Sequence, residues 1–540
     1  MIEENHIQTK VLIVGAGPTG LALAIELGSR SIPCILIERN DRAGHAPRAK
    51  TTNVRTREHL RRWGIADRLA AASPLGLDYP SHILFVTRLG GHRLAKFEHV
   101  LDCKPDKNPH FSEHAQWIPQ YLFEEVLKNH AQSLPCVDIR FSTAFESFEQ
   151  NDDGVLATIR SRTTGGTQTV HCDYLVGADG ARSMVRELIG AKMSGTYGLS
   201  RNYNIVFRAP GLATAHDHGP GIMYWQVNAD VPSLIGPMDK GDKWFFMPTN
   251  VPKDFKLTDD EAAALIRKAT GIDLPYEVLS TDEWVASRLI ADKYRDRRVF
   301  LAGDACHLHP PMGGYGMNMG VADGVDLGWK IAAVLEGWGG SALLDSYESE
   351  RRPVHGFVMD EAVANHSVLG PQLFQSGIED DTPEGEHARL EAGQHIQQAK
   401  AREFLNLRVV LGYHYGGSAL VMEDGTTTAQ QNTAEYTASA RPGSLAPHAW
   451  LDDGSSLYDG FGKGFTLLIA GEADAHDLSR AAANAAEAGV PLAVHAPAHE
   501  GLAQLYEARY ALIRPDQHVA WRGNAWPEDG KQVFLRVTGR

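Results

Sequence analysis

Val11-Leu12-Ile13-Val14-Gly15-Ala16-Gly17-Pro18-Thr19-Gly20 is the stretch that decides the fold of this chain. An apolar run of strand length leads directly into three glycines with the spacing GxGxxG. Apolar residues then repeat at helical spacing from Leu21 to Leu27, and Cys34 to Ile37 forms a second apolar run that ends at Glu38. The pattern predicts a βαβ unit that opens a nucleotide-binding domain.

Each glycine of this motif has its own task. The first makes a tight turn, the second lets the backbone approach a pyrophosphate, and the third lets helix and strand pack closely. Glu38 is placed to accept a hydrogen bond from a ribose hydroxyl. We therefore predict that Gly15, Gly17, Gly20 and Glu38 bind a dinucleotide, with an ordinary α/β turn as the alternative. The motif alone does not distinguish FAD from NAD.

Length and composition limit the class of protein. With 540 residues the chain should form two to four domains. A net charge of -15 offers no basic surface for nucleic acid, and no apolar run approaches the ~20 residues that span a membrane. Five scattered cysteines without a CxxC pair argue against a zinc site or a disulfide framework. Together with the polar, acidic N-terminus, they predict a cytoplasmic protein without a bound metal.

A second candidate motif combines a strand, an acidic turn and a helix. The strand begins at Cys172 and ends in Gly177-Ala178-Asp179-Gly180, and a helix with two arginines follows. This order is typical of a phosphate-proximal turn, although a purely structural turn is the alternative. Further arginines lie between residues 39 and 62. Arg48, in a predicted loop, is a candidate phosphate or nicotinamide contact, whereas Arg61 and Arg62 are expected on a solvated helix face.

A third motif runs from Val299 to Asn318. A buried strand meets Gly303-Asp304, the chain passes through Pro310-Pro311 and three more glycines, and an apolar pattern of helical spacing resumes at Val321. A rigid turn that leads into a helix N-terminus suits an anionic or electron-rich cofactor edge. Taken alone, this stretch could also be an ordinary Gly/Pro loop.

The remaining patterns predict two further units. From about residue 190 to residue 285, short alternating segments indicate an antiparallel sheet. Its aromatic residues could line a pocket for a flat apolar ligand, with the core of the sheet as the alternative; they are Tyr224, Trp225, Trp244 and Phe246. From Arg441 onward, a strand, helix and strand pattern predicts a small separate α/β domain.

In this order the three motifs resemble those of the group A FAD-dependent aromatic hydroxylases, typified by p-hydroxybenzoate hydroxylase and phenol hydroxylase. The resemblance covers residues 8–360 and favours the larger members, which end in a thioredoxin-like domain. It implies an α/β fold in which a Rossmann-like FAD-binding domain is interleaved with an antiparallel-sheet substrate domain. Residues 441–540 look like the thioredoxin-like domain and contain no cysteine, which excludes dithiol chemistry there.

This fold predicts how the chain is divided. The FAD-binding domain should occupy residues 1–185 and 286–410, with a substrate-domain insert near residues 80–115. The substrate-binding sheet should occupy residues 186–285, and a linker at 411–440 should lead to the C-terminal domain.

The resemblance also implies roles for individual residues. Asp304 would bind the ribityl chain, and the backbone of 316–318 would face the isoalloxazine, where helix N–H groups stabilise the negative charge of reduced flavin. Asp179 would lie near both FAD and the nicotinamide coenzyme. The residues assigned to non-covalently bound FAD are Gly15, Gly17, Gly20, Glu38, Arg39, Arg48, Gln120, Asp179, Asp304, Pro311, Gly316, Met317 and Asn318.

The implied reaction is hydroxylation of a phenol through a flavin C4a-hydroperoxide, with O₂ and NADH or NADPH consumed. A base that ionises the phenol would help, and the candidates are Tyr224, Tyr315 and His114. Tyr315 and Cys306 depart from the common family pattern; Cys306 is expected to be a small buried filler. The alternatives are a flavin-dependent oxidoreductase or monooxygenase with a non-aromatic substrate, and a catalytically silent FAD-binding module. The substrate, the ring position, the choice of coenzyme and the oligomeric state, a homodimer included, stay open.

Overall fold

A computed structural model describes residues 6–41, 49–249, 257–426 and 436–540. Arg48, which the family resemblance assigns to the cofactor, lies outside these ranges. The β-strands are β1 (His6–Val14), β2 (Cys34–Ile37), β3 (Thr51–Thr52), β4 (Ile83–Val86), β5 (Arg93–Phe97), β6 (Gln116–Trp117), β7 (Val137–Arg140), β8 (Thr143–Gln150), β9 (Val155–Ser161), β10 (Thr167–Gly177), β11 (Met193–Arg208), β12 (Met223–Gln226), β13 (Ser233–Pro237), β14 (Lys243–Pro248), β15 (Glu277–Ala291), β16 (Arg295–Asp296), β17 (Val299–Leu301), β18 (His307–Leu308), β19 (Phe465–Ile469), β20 (Leu492–His495), β21 (Tyr510–Ile513) and β22 (Val519–Gly523).

The α-helices connect and cover these strands. They are α1 (Pro18–Ser29), α2 (Val54–Arg62), α3 (Ala66–Ala71), α4 (Gln120–Gln132), α5 (Met184–Leu188), α6 (Asp259–Thr270), α7 (Tyr315–Leu335), α8 (Ser341–His366), α9 (Gly370–Leu373), α10 (Pro383–Phe404), α11 (Leu407–Leu411), α12 (Ala475–Glu487), α13 (Leu502–Tyr506) and α14 (Gly530–Val537). Within the described ranges, none of these helices is long and apolar enough to cross a membrane.

The first sheet carries the nucleotide-binding motif. Its main strands follow the order β16-β17-β10-β1-β2-β7, and β8 and β9 extend it antiparallel from β10. The central pairs from β17 to β7 are all parallel. A parallel sheet is buried on both faces, which explains why Val11–Val14 and Cys34–Ile37 are uninterrupted apolar runs. The expected βαβ opening and Rossmann-like domain are confirmed.

The second sheet is the expected antiparallel one, and its two faces meet different layers. Its strand order is β18-β15-β11-β14-β13-β12-β4-β5, with only β12 and β4 parallel. Because side chains alternate along each strand, one face packs against α6 and the other packs against α7, α8 and α10. Strands β4 and β5 come from the predicted insert near 80–115, and the predicted boundary at residue 285 falls inside β15.

The third sheet belongs to the C-terminal part of the chain. Its order is β20-β19-β21-β22, with β19 and β20 parallel and the other pairs antiparallel. Helices α12 and α14 pack on it around Leu467, Leu512 and Phe534, all of them fully buried. This mixed four-stranded sheet agrees with the predicted thioredoxin-like domain.

The arginines of α2 do not form a solvated face, so that expectation for Arg61 and Arg62 was wrong. Arg62 pairs with the buried carboxylate of Glu26 at 2.7 Å. Arg61 pairs with Glu113 at 3.0 Å and with Asp459 of the C-terminal domain at 2.7 Å. These ion pairs hold α2 between the FAD-binding domain and the C-terminal domain.

Candidate active site

The turn between β1 and α1 has the shape that a pyrophosphate needs. Gly15 has a φ of +108°, and a Cβ there would lie 2.3 Å from the Ala178 carbonyl oxygen. A Cβ on Gly20 would lie 1.9 Å from the Gly15 carbonyl oxygen, so both glycines are required by packing. A Cβ on Gly17 would meet no atom within 4 Å, and no side chain caps α1. The middle glycine thus borders open space at a helix N-terminus, where an anion is stabilised.

Glu38 lies beside this turn at the end of β2. Its carboxylate accepts hydrogen bonds from the Ala16 N–H at 3.1 Å and the Asn40 N–H at 3.0 Å. These bonds place a buried acid next to the glycine turn, which is the position predicted for a group that binds the ribose of the dinucleotide. Arg39, also assigned to the cofactor, has an exposed side chain, and its carbonyl oxygen accepts from Arg162.

The second motif lies against the first, but its acid has other partners. The Asp179 carboxylate accepts from the Met184 N–H at 2.7 Å and the Val185 N–H at 3.2 Å, at the start of α5. Burial raises the pKa of this carboxyl group, and bonds from Ser183 and these amides oppose the shift. The Asp179 side chain therefore binds the first N–H groups of α5, and its backbone borders Gly15.

The third motif is held by one buried carboxylate. Asp323 of α7 accepts from the Gly303 N–H at 3.0 Å and from Arg351 Nε at 2.9 Å. His307 Nε2 and His355 Nε2 lie 2.7 and 2.9 Å from its oxygens. Because an ionised carboxylate only accepts, both imidazoles must carry their proton on Nε2. The network fixes the turn that presents the exposed Asp304 side chain.

Cys306 lies in the same buried region as this network. Its Sγ atom lies close to donor atoms of His307 and Asp323, the spacing of a candidate cation site. Each Asp323 oxygen already accepts two hydrogen bonds, so the geometry gives an ion no free carboxylate position. Burial raises the pKa of the Cys306 thiol well above its ordinary value, which fits a small filler rather than a nucleophile.

The N-terminus of α7 presents backbone rather than side chains. The Asn318 side chain accepts from the Asn53 N–H at 3.0 Å and Thr56 Oγ1 at 2.7 Å, and it donates to the carbonyl oxygens of Thr51 and Gly314. It therefore ties α7 to β3 and α2. The N-cap residue of α7 is Gly314, which has no side chain to cap the helix, so the first N–H groups of α7 suit a ligand. Pro311, Gly316 and Met317 beside them are partly exposed.

Gln120 supports this arrangement from the start of α4. Its Oε1 accepts from the Ala49 N–H at 3.1 Å, and its Nε2 donates to Glu124 at 2.8 Å. The amide thus positions the chain where it enters β3, next to the N-terminus of α7.

Comparisons with known proteins agree with this geometry. Residues 8–362 match the family described as FAD binding domain, and residues 439–540 match aromatic-ring hydroxylase, C-terminal. Tetracenomycin B2 monooxygenase-dioxygenase of Streptomyces olivaceus is 32% identical over 99% of both chains. Phenol 2-monooxygenase of Pseudomonas sp. is 31% identical over 99% of this chain and 93% of the relative. The structure of RebC with bound 7-carboxy-K252c has a TM-score of 0.91 and 34% identity over 99% of both chains.

The chain belongs to the FAD-dependent aromatic-ring hydroxylases. This confirms the predicted family, the interleaved α/β fold and the FAD cofactor. The residues present fit FAD, since they include an open glycine turn, an acid beside it and a helix N-terminus without a side-chain cap from its N-cap glycine. When bound, FAD supplies the redox and oxygen-activating chemistry, and the protein supplies orientation, electrostatics and exclusion of water.

The three predicted bases of the hydroxylase lie in different surroundings. Tyr224 faces α6, on the opposite side of the sheet from α7, and its hydroxyl donates to the Gly219 carbonyl at 2.6 Å. This position argues against a base at Tyr224, because its hydroxyl is used and points away from the flavin motif. His114 has Nδ1 2.7 Å from the Ala115 carbonyl oxygen, and burial lowers its pKa.

Tyr315 is the predicted base that the fold places against the second sheet, on the face that packs on α7. Its ring is fully buried in the apolar cluster shared by the substrate sheet and α7. Among the residues that the structure describes, its hydroxyl has no partner in good hydrogen-bond geometry, although the amides of Asn406 and Asn365 lie close enough to act on its pKa. Burial raises that pKa, which keeps the phenol of Tyr315 protonated.

Sequence reasoning missed Lys50, which the fold places at the same junction. Its Nζ atom lies 4.1 Å from the centroid of the Phe245 ring, and burial lowers its pKa to about 8. No local pattern around Lys50 could have identified it, because Phe245 is distant in the sequence. The contact between this lysine and the aromatic face of the second sheet can be recognised only from the three-dimensional structure.

Proposed function

We propose that this hydroxylase adds oxygen to a phenolic ring held between the N-terminus of α7 and the inner face of the substrate sheet. NADH or NADPH would supply the electrons. In the described part of the chain, GxGxxG geometry occurs once, so the coenzyme would dock transiently at the flavin site.

The observation that carries the proposal is the packing of the third motif against the sheet. Met312, Tyr315 and Met319 share one apolar cluster with Trp225 and Phe245. The helix end assigned to the flavin ring is therefore adjacent to aromatic side chains of the sheet. Flat aromatic molecules are held by such surfaces through apolar contact and ring packing.

The same cluster supports the proposal, because it would keep water from the reacting ring. Helices α8 and α10 contribute Val358, Ala392 and Ile396 to it, all fully buried. A small cavity lined by Tyr79, Trp117 and neighbouring residues opens beside this face. Excluding water protects reduced flavin chemistry from side reactions.

The proposal is tested with the FAD-loaded enzyme and matched pairs of ring compounds. Phenol, 2,4-dichlorophenol and 1-naphthol are each compared with the corresponding methyl ether, with NADH and NADPH in turn. We expect oxygen uptake and a product heavier by one oxygen atom from at least one phenol and none from its ether. Oxygenation of a non-aromatic compound alone would contradict the proposal. Protein that binds no FAD after reconstitution would also contradict the proposal.

A further inference from the structure

The backbone of Lys50 is fixed against the third motif. The Lys50 carbonyl oxygen accepts from the Ile118 N–H at 2.8 Å, immediately before β3 begins. The next residue, Thr51, accepts from Asn318 Nδ2 at 3.0 Å and closely borders Gly314. Lys50 is therefore the neighbour in sequence of Thr51, which contacts the segment assigned to the flavin ring.

Its side chain crosses from there to the substrate sheet. The Nζ atom lies over the ring of Phe245, which is buried in β14 and belongs to the apolar cluster shared with Tyr315. The Trp117 ring lies 6.4 Å from the Phe245 ring and pairs through β6 with β3. The amine is thus placed between the predicted flavin edge and the aromatic face.

Lys50 is partly buried, and it differs in its partners from two fully buried lysines. Lys330 pairs with Asp326 at 2.8 Å and Glu350 at 2.7 Å, and Lys400 pairs with Glu403. Among the described residues, Lys50 has no carboxylate partner, and the Phe245 ring beneath its amine is uncharged. Burial alone lowers its pKa. A desolvated lysine without a partner is the kind that serves as a general base.

We propose that Lys50 is a catalytic residue that receives the proton of the substrate's phenolic hydroxyl and then pairs with the phenolate oxygen. The O–H bond breaks, its electron pair stays on oxygen, and a new N–H bond forms on Nζ. The phenolate is the better nucleophile for oxygen transfer, and the proton returns to the product oxygen on release. The inference rests on the proposed function, since it requires a phenol.

The test compares Lys50→Met and Lys50→Arg with the wild-type holoenzyme and with Lys240→Met, a control at an exposed lysine. The substrate is the phenol that gives product with the wild type, and kcat and KM are measured across pH. We expect wild-type kcat to rise with pH through about 8, because an ammonium cannot accept the proton. Both Lys50 variants should lose about 100-fold in kcat and this pH dependence, since a guanidinium stays protonated.

A second measurement detects the protonation state of the bound phenol directly. The absorption spectrum of the bound phenol should be that of the phenolate in the wild type and of the neutral phenol in Lys50→Met. Turnover of Lys50→Met within about threefold of wild type, with the same pH profile, would overturn the proposal. Loss of bound FAD in Lys50→Met, with full turnover in Lys50→Arg, would assign Lys50 to the fold and overturn it too. If the wild type gives no product, both the proposed function and the role of Lys50 are contradicted. If the wild type and Lys50→Met give product equally well, only the role of Lys50 is contradicted.

Discussion

Asp323 and Asp326 lie one turn apart on α7, and each is the centre of a buried polar network of different composition. Asp323 faces the third flavin motif and bonds Gly303, two histidines and Arg351. Asp326 faces the C-terminal domain and joins a network of Lys330, Glu350, Arg514 and Asp516. One helix therefore supports the cofactor site on one side and the domain interface on the other.

The two networks differ in their balance of charge. At Asp323 the carboxylate meets the guanidinium of Arg351, and burial lowers the pKa of His355 to about 3 and keeps that imidazole neutral. Burial would raise the pKa of Asp323, but His355, His307 and Arg351 hold it well below its usual range. The Asp323 carboxylate and the Arg351 guanidinium therefore balance each other's charge.

The Asp326 network has three carboxylates and two cations. Burial raises the pKa of Asp326 to about 7, with Lys330 opposing the shift and Glu350 adding to it. Arg514 and Lys330 outweigh burial at Glu350 and hold its pKa at about 2. The excess carboxylate thus retains a proton near neutrality. The comparison shows that charge count, rather than burial alone, decides which network titrates.

The largest effect should come from breaking the balanced network with Asp323→Ala. Arg351 would then be buried without a carboxylate, which costs about 3–5 kcal/mol of unfolding free energy. Because Gly303 also loses its partner, we expect FAD affinity to fall as well. Urea unfolding and FAD titration measure the two effects, and Asp323→Asn separates the charge from the size of the side chain. Wild-type stability in Asp323→Ala would show that the network does not hold the motif.

A somewhat smaller loss is expected from Arg514→Met at the domain interface. Lys330 still faces the carboxylates, so we expect about 3 kcal/mol of destabilisation in urea unfolding. The control is Arg61→Gln, which removes the ion pairs of a partly exposed arginine to Glu113 and, across the same two domains, to Asp459. Exposed pairs contribute about 0–1 kcal/mol, so that variant should unfold close to wild type. Equal losses in both variants would remove the distinction between buried and exposed interface charges.

The smallest change, and one that depends on pH, should come from Asp326→Asn. The folded-state pKa of about 7 lies above the ordinary value, so the stability linked to this proton is present at low pH and is lost as pH rises through 7. Asparagine stays neutral, so the variant should match wild type near about pH 5.5 and exceed it by about 1–2 kcal/mol near about pH 8.5. Equal destabilisation at both pH values would contradict the assigned proton.

The parts predicted from sequence were those encoded locally. The glycine turn, the apolar strands and the helix after the third motif are each set by neighbouring residues, so the βαβ unit and the three motifs could be predicted. Arg62 could not, because its partner Glu26 lies on another helix. Alternation showed that Tyr224 and Phe245 belong to strands, but which face meets α7 depends on packing between distant segments. Lys50 was missed for the same reason.

Helix α2 joins the flavin motif to the C-terminal domain. Asn53 and Thr56 bond Asn318, while Arg55 donates to the Asp516 carbonyl at 2.6 Å and to Gln517. During synthesis, all three flavin motifs leave the ribosome well before residues 514–517. The support of the cofactor site is therefore complete only when nearly the whole chain has emerged. A chain that ends before residue 441 would lack the C-terminal partners of Arg55 and Glu350, so we expect the two parts to depend on each other for stability.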